Sequence, residues 1–153
     1  MDFNLADVVR AVAHAVPTRD AMVHGDTRRT YAEFMARADR LASALTSRGY
    51  GHHTDRERLE NWESGQDHVA LYLHNCTEYI EAMIGSYAGR LAPFNVNYRY
   101  VAEELRYLLA DAGARVIVFH SAFASTLDEV RHDLPRLELL IQVDDQSGAP
   151  LLD

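Results

Sequence analysis

The sequence predicts an α/β fold built in layers, a mostly parallel sheet with flanking helices. Three observations predict it. The runs VALYL (69–73) and VIVF (116–119) carry no polar alternation, so each is suited to a strand covered on both faces, the usual state of a parallel sheet. Segments of helical periodicity alternate with short strands from residue 69 to residue 119, the pattern of two consecutive βαβ crossovers. Gly, Pro, Asn and Asp stand at the junctions, where turns need them. Sheets of this kind bind ligands beyond the carboxyl ends of their strands, so His74-Asn75 and Asn95-Val96 are the first positions of functional interest.

Each element follows in order. Residues 4–16 have Leu5, Val8, Val9 and Val12 at helical spacing, closed by Pro17. Residues 21–24 and 28–30 flank Gly25-Asp26, a hairpin signal. Thr30 and Glu33 stand at capping-box spacing. The helix they open directs Phe34, Ala38, Leu41 and Leu45 inward and ends near Gly49, a natural left-handed cap. Residues 51–67, GHHTDRERLENWESGQD, are charged and without periodicity, with Trp62 as their one aromatic. After the strand at 69–73 comes a helix with Ile80, Met83, Ile84 and Tyr87 on one face. LAPFN (91–95) returns as a strand. A helix bearing Leu105, Leu108 and Leu109 leads to the strand at 115–119. Ser121 is the expected N-cap of a helix carrying Phe123, Leu127 and Val130, stopped by Pro135. LELLIQV (137–143) supplies a further strand, and the tail DDQSGAPLLD is polar and turn-rich.

A chain of 153 residues is a single domain or part of one and can bury a real core. Its net charge of −8 argues against nucleic acid, which demands a concentrated basic surface. No run approaches the roughly 18 apolar residues of a membrane helix, and MDFNLADVV is too acidic and polar for a signal peptide. Cys76 is the only cysteine, so neither a disulfide framework nor a CxxC zinc site is expected. A cytoplasmic location is the simplest expectation. All fifteen basic residues are Arg. The absence of Lys excludes a Walker-A loop and Schiff-base chemistry.

Several side chains invite a chemical role. Cys76 lies at a helix N-terminus beside His74, where the dipole would lower a thiol pKa, yet no Cys-His-Asn constellation surrounds it and Asn75 or Thr77 is the expected cap. His52, His53, Asp55, Glu57 and His68 gather in or near residues 51–67 without a zinc-type spacing. Trp62 could anchor a partner or membrane-surface contact. Tyr98, Tyr100 and Tyr107 could line an acyl pocket, but tyrosines near helical spacing usually pack with their hydroxyls wet. Glu103-Glu104 favours a helix start, and Asp144-Asp145 also reads as structural. No catalytic, cofactor-binding or metal-binding residue is assigned.

The segment VALYLHNCTEYIEAMIGSYAGRLAPFNVNYRYVAEELRYLLADAGARVIVF resembles the early region of adenylate-forming enzymes, the AMP-binding acyl-CoA synthetases and their kin. NVNYRYVAEELRYLL is most similar to actinobacterial fatty-acyl and steroid-side-chain CoA ligases. The resemblance extends over nearly the whole chain but only the N-terminal part of a family member. It implies an N-terminal subdomain fragment spanning residues 1–153, with 51–67 as a charged insertion where relatives have a short turn. It implies that the parent enzyme uses ATP, Mg²⁺ and CoA to convert a lipid carboxylic acid, a fatty acid or steroid side chain, through an acyl-adenylate to a thioester. The family's Ser/Thr/Gly-rich phosphate loop ending in Lys, and its C-terminal catalytic Lys, have no counterpart here. This chain alone is therefore expected to be inactive and to bind none of these ligands tightly. The alternative is a non-catalytic interaction or oligomerisation domain of the same fold, whose exposed apolar faces would drive homodimer formation or partner capture.

Overall fold

The computed structural model describes residues 4–152. Residues 1–3, the start of the segment judged too acidic for a signal peptide, and residue 153, the end of the polar tail, lie outside them. The chain divides into two compact units, one comprising residues up to Gln66 with Asn75–Ala92, the other Asp67–His74 with Pro93 onward.

The first unit is helical with one hairpin. Helix α1 (Leu5–Ala15) is capped by Asn4, whose side chain accepts from Ala6 N–H at 2.9 Å and donates to the Tyr87 carbonyl at 2.8 Å. Strands β1 (Asp20–His24) and β2 (Thr27–Thr30) pair antiparallel around Gly25-Asp26. Helix α2 (Tyr31–Thr46) opens with the expected capping box: Thr30 N–H donates to Glu33 at 2.8 Å, and Glu33 N–H returns to the Thr30 hydroxyl at 3.3 Å. It buries Phe34, Ala38 and Leu45 as expected, with Met35 and Ala42, and Gly49 beyond it has φ +85°. Helix α3 (Thr77–Ala88) packs on α2 and α1.

Two helical faces differ from the expectation. On α1 the buried residues are Ala6 and Ala13, while Leu5, Val8 and Val12 are exposed. On α3, Ile80 is exposed and only Ile84 of the expected face is fully buried; Glu81, Ala82, Gly85 and Ser86 are buried instead. On α3 one cause is the close approach of α2, which selects a small side chain at position 85 rather than an apolar one. A Cβ on Gly85 would lie 2.9 Å from the Ala38 carbonyl oxygen and 3.1 Å from Leu41. Glu81 is tolerated because the Arg37 Nε–H donates to it at 2.6 Å.

Residues 51–67 form an ordered loop closed at its base. His52 bridges to Gln66, and the N–H groups of His53 and Thr54 both reach the Gly65 carbonyl. A single 3₁₀ turn spans Arg56–Arg58. The Arg56 guanidinium donates to three carbonyls, of Glu60, Glu63 and Asn61, at 3.0–3.2 Å. Gly65 is required by proximity, since a Cβ there would sit 2.0 Å from the Thr54 oxygen.

The second unit holds the sheet, in order β4-β3-β5-β6, from β3 (His68–Tyr72), β4 (Ala92–Asn95), β5 (Ala114–His120) and β6 (Leu139–Val143). β5 runs parallel to both neighbours, with Ala70 opposite Ile117, Tyr72 opposite Phe119 and Val118 opposite Ile141. Both faces of β3 and β5 are buried from Val69 to Tyr72 and from Val116 to His120. Ala70, Tyr72, Ile117 and Phe119 make one core with Leu105 and Leu109 of helix α4 (Ala102–Asp111) and Leu127 and Val130 of helix α5 (Ala124–Arg131). Ser121 is not the cap of α5: residues Ser121–Phe123 form a 3₁₀ turn first, and the Asp145 carboxylate accepts the Ala122 N–H at 3.0 Å. The tail also docks. The Gln142 side-chain amide donates to the Pro150 carbonyl and accepts from Leu152 N–H, both at 2.9 Å, and Leu152 packs on the core.

Gly85→Ala tests the close approach of α2 and α3. It is expected to lower unfolding free energy by roughly 1–3 kcal/mol, the cost of overpacking, measured by denaturant titration.

Candidate functional site

Strands β3 and β5 each run out of apolar residues at a histidine. Side by side in parallel, they bring His74 and His120 together at the carboxyl edge of the sheet. The His74 N–H donates to His120 Nδ1 at 3.0 Å, which fixes Nδ1 as an acceptor in a ring only 5% exposed. The His74 ring is itself exposed and lies 4.7 Å from Tyr98 and 4.8 Å from Phe123. Phe123 in turn stacks on the buried Tyr72 ring at 4.4 Å. Burial pushes the Tyr72 hydroxyl pKa up. Arg99 lies over the Tyr98 ring at 5.4 Å.

Polar side chains beneath this wall hold it in place. The Ser121 hydroxyl donates to the Val143 carbonyl at 3.1 Å and accepts from Gln142 at 3.0 Å. Desolvation would raise the Asp145 pKa, but hydrogen bonds from Ser147 and from Ala122 N–H outweigh it and hold the carboxyl below its ordinary value. The arrangement offers stacking faces and one exposed imidazole. Among its described residues it pairs no nucleophile with a base, and the Ser121, Gln142 and Asp145 side chains are already hydrogen-bonded.

Cys76 is the N-cap of α3, in place of Asn75 or Thr77: its sulfur accepts the Tyr79 N–H at 3.3 Å. Its pKa is raised rather than lowered, first by burial and further by the charge of Glu78. The His74 ring makes its contacts with Tyr98, Phe123 and His120 instead. The five residues considered for a metal do not converge. His68 Nδ1 bonds the Ala112 carbonyl, His52 faces Asp55 at 4.0 Å, and among the described residues no group of three His, Cys, Asp or Glu could hold an ion. Tyr100 and Tyr107 line a shallow cavity of about 340 Å³ with Glu103, Glu104 and Leu108, but Tyr98 belongs to the His74 cluster and Tyr107 is 71% exposed. Glu104 accepts the Val101 N–H at 3.1 Å and Glu103 pairs with Arg106. Asp144 accepts the Gln146 N–H at 2.9 Å. Trp62 is 83% exposed.

His120, Phe123 and Gln142 are the members that sequence reasoning missed. The available signal was positional: His120, like His74, is the first polar residue after a doubly apolar strand.

The class that fold and edge define is a parallel α/β scaffold presenting a stacked aromatic wall. Residues 9–152 match the family of AMP-binding enzymes, and the chain belongs to that family. It is 49% identical over 151 residues to the medium-chain acyl-CoA ligase Mig of Mycobacterium avium, covering 99% of this chain and 28% of that protein. It is 33% identical to a medium/long-chain-fatty-acid and 3-oxocholest-4-en-26-oate CoA ligase of Mycobacterium marinum, covering 94% and 24%. Its fold matches the N-terminal domain of FACL13 from Mycobacterium tuberculosis with a TM-score of 0.78 and 26% identity, covering 93% of this chain and 34% of that one. The chain thus spans about a quarter of the length of these curated relatives.

Two expectations follow. Cys76→Ser should retain stability while Cys76→Ala loses about 1 kcal/mol, the value of an N-cap, and the native thiol should react with a disulfide reagent more slowly than free cysteine. Because the Asp145 pKa is depressed by folding, its bonds add stability above the ordinary carboxylate pKa near 3.9 and lose it as pH falls through the folded value. Melting temperatures of the native chain and Asp145→Asn should differ at neutral pH and converge in acid.

Proposed function

We propose that this chain is the N-terminal part of an ATP-dependent acyl-CoA ligase acting in the cytoplasm. Its whole enzyme would join a lipid carboxylic acid to AMP and then to the CoA thiol. The observation that carries the proposal is the 49% identity to a medium-chain ligase along virtually the whole chain. A medium-chain fatty acid is accordingly the favoured substrate, ahead of the steroid acid named for relatives at 33%. Among the described residues no helix is long and apolar enough to cross a membrane.

The role assigned to these residues is scaffolding. The wall at the carboxyl edge does not by itself fit a magnesium triphosphate: it offers no lysine, and its acid, Asp145, is turned to Ala122 and Ser147. What these residues do is bury the sheet and fix the His74, Tyr98 and Phe123 faces. Any group stacking there would meet a surface already ordered, which lowers the entropic cost of binding.

A chimera tests the reading. This chain replaces the matching segment of the Mycobacterium avium ligase, and thioester formation from octanoate, ATP and CoA is measured. The folded chimera is expected to work within about tenfold of its parent, a barrier change of about 1.4 kcal/mol, and the 153-residue chain alone to form no thioester. A folded but inactive chimera, or thioester made by the chain alone, would overturn the proposal.

A further inference from the structure

A second feature lies wholly in the first unit. Arg29 of β2 and Glu33, Ala36, Arg37 and Arg40 of α2 line a cavity of about 330 Å³, at the lower end of the range that holds small ligands. Positions 33, 36, 37 and 40 share one stripe of the helix, and Ala36 leaves the middle of that stripe free of a long side chain.

The charges around the cavity are unequally engaged. The Glu33 carboxylate is turned to Thr30, accepting its N–H at 2.8 Å and its hydroxyl at 3.0 Å, and these bonds hold its pKa low. Arg37 is held by Glu81 at 2.6 Å, with Glu78 at 4.0 Å. Arg40 makes no hydrogen bond or ion pair with any described residue, and Arg29 Nε is buried without a hydrogen-bond partner. In this acidic chain Arg10, Arg28, Arg106, Arg115 and Arg131 each hold a carboxylate. Among the described residues Arg29 and Arg40, like Arg19 and Arg48, pair with no carboxylate at contact distance, although the charge of Arg29 acts on Glu33, and both line this cavity.

An unsatisfied buried N–H is costly, so an acceptor that displaced its cover and reached Arg29 Nε, which has almost no accessible area, would gain a bond that folding left unmade. Guanidinium groups match phosphate oxygens in planar, charge-assisted pairs. A phosphoryl group carries enough oxygens for both free guanidinium groups at once, whereas a carboxylate with two oxygens would serve them less well.

We propose that this cavity is a phosphoryl-binding site, in which Arg29 and Arg40 grip the anion and Arg37 supports them. The group would be borne by a free phosphate species or by a phospholipid headgroup. This site is independent of the ligase reading, because it draws on no residue of the sheet edge.

The test follows arginine Nε–H signals of the ¹⁵N-labelled 153-residue chain during titration with inorganic phosphate, against chloride at equal ionic strength. In parallel, co-sedimentation is measured with vesicles of phosphatidic acid and phosphatidylcholine in equal parts, against phosphatidylcholine alone. The Arg29 signal, identified by its loss in Arg29→Gln, is expected to shift saturably with phosphate if the source is free. Selective co-sedimentation with phosphatidic acid alone would assign the headgroup. In either arm Arg40→Gln should weaken binding at least about tenfold, the scale of one charge-assisted bond, and Arg48→Gln should leave it unchanged. A response in neither arm, or one that survives Arg29→Gln combined with Arg40→Gln in a chain of native melting temperature, overturns the proposal.

Discussion

A strand that is apolar on both faces cannot stand against water on either side, and β5 is such a strand from Val116 to Phe119. Its burial sets the terms for its surroundings. It needs parallel neighbours to satisfy its backbone, and it needs helices such as α4 and α5 over a face. It also leaves no room for polar side chains along its length, so they collect at its two ends. At the amino end Arg115 bridges Asp67 at 2.7 Å and Glu138, and those two carboxylates raise its pKa further. Asp67 is only 5% exposed, so this bridge is what makes its charge tolerable there. At the carboxyl end the polar groups are His120, Ser121 and Gln142.

The two ends differ in character. The amino end is ionic and closed, each charge answered by an opposite one across neighbouring strands. The carboxyl end is aromatic and partly open, with His74 and Tyr98 showing their faces to solvent. A ligand approaching the first meets charges already bonded to one another; one approaching the second meets ring surfaces held from below. The division of labour seen in open α/β sheets thus has a local cause in the side chains each strand carries at its termini.

Most of the sheet was legible in the sequence because unbroken apolar runs admit few alternatives. The order of strands and helices, the Thr30–Glu33 box and the hairpin at Gly25 were all readable from local chemistry. The helical faces of α1 and α3 were not. Hydropathy assigns the inside to Leu5, Val8 and Ile80, yet Ala6 and Ala13 are the buried residues of α1, and on α3 the close approach of α2 puts Gly85 in. Cys76 as a cap was hidden for a related reason: sulfur is a weak acceptor, so Asn75 and Thr77 looked better until the backbone chose the register. Of the sheet-edge wall, only His74 and Tyr98 were visible. His120 and Phe123 join it through strand pairing, which links residues 46 positions apart and leaves no trace in local spacing.

The excursion at residues 51–67 stands with both feet on the same patch of backbone, His52 against Gln66 and His53 with Thr54 on Gly65. Because its two ends bond each other, the path from His52 to Gln66 is held by its own backbone. A span so fastened can carry its own Arg56 clasp and present a solvent-facing indole without calling on those end-to-end bonds to change.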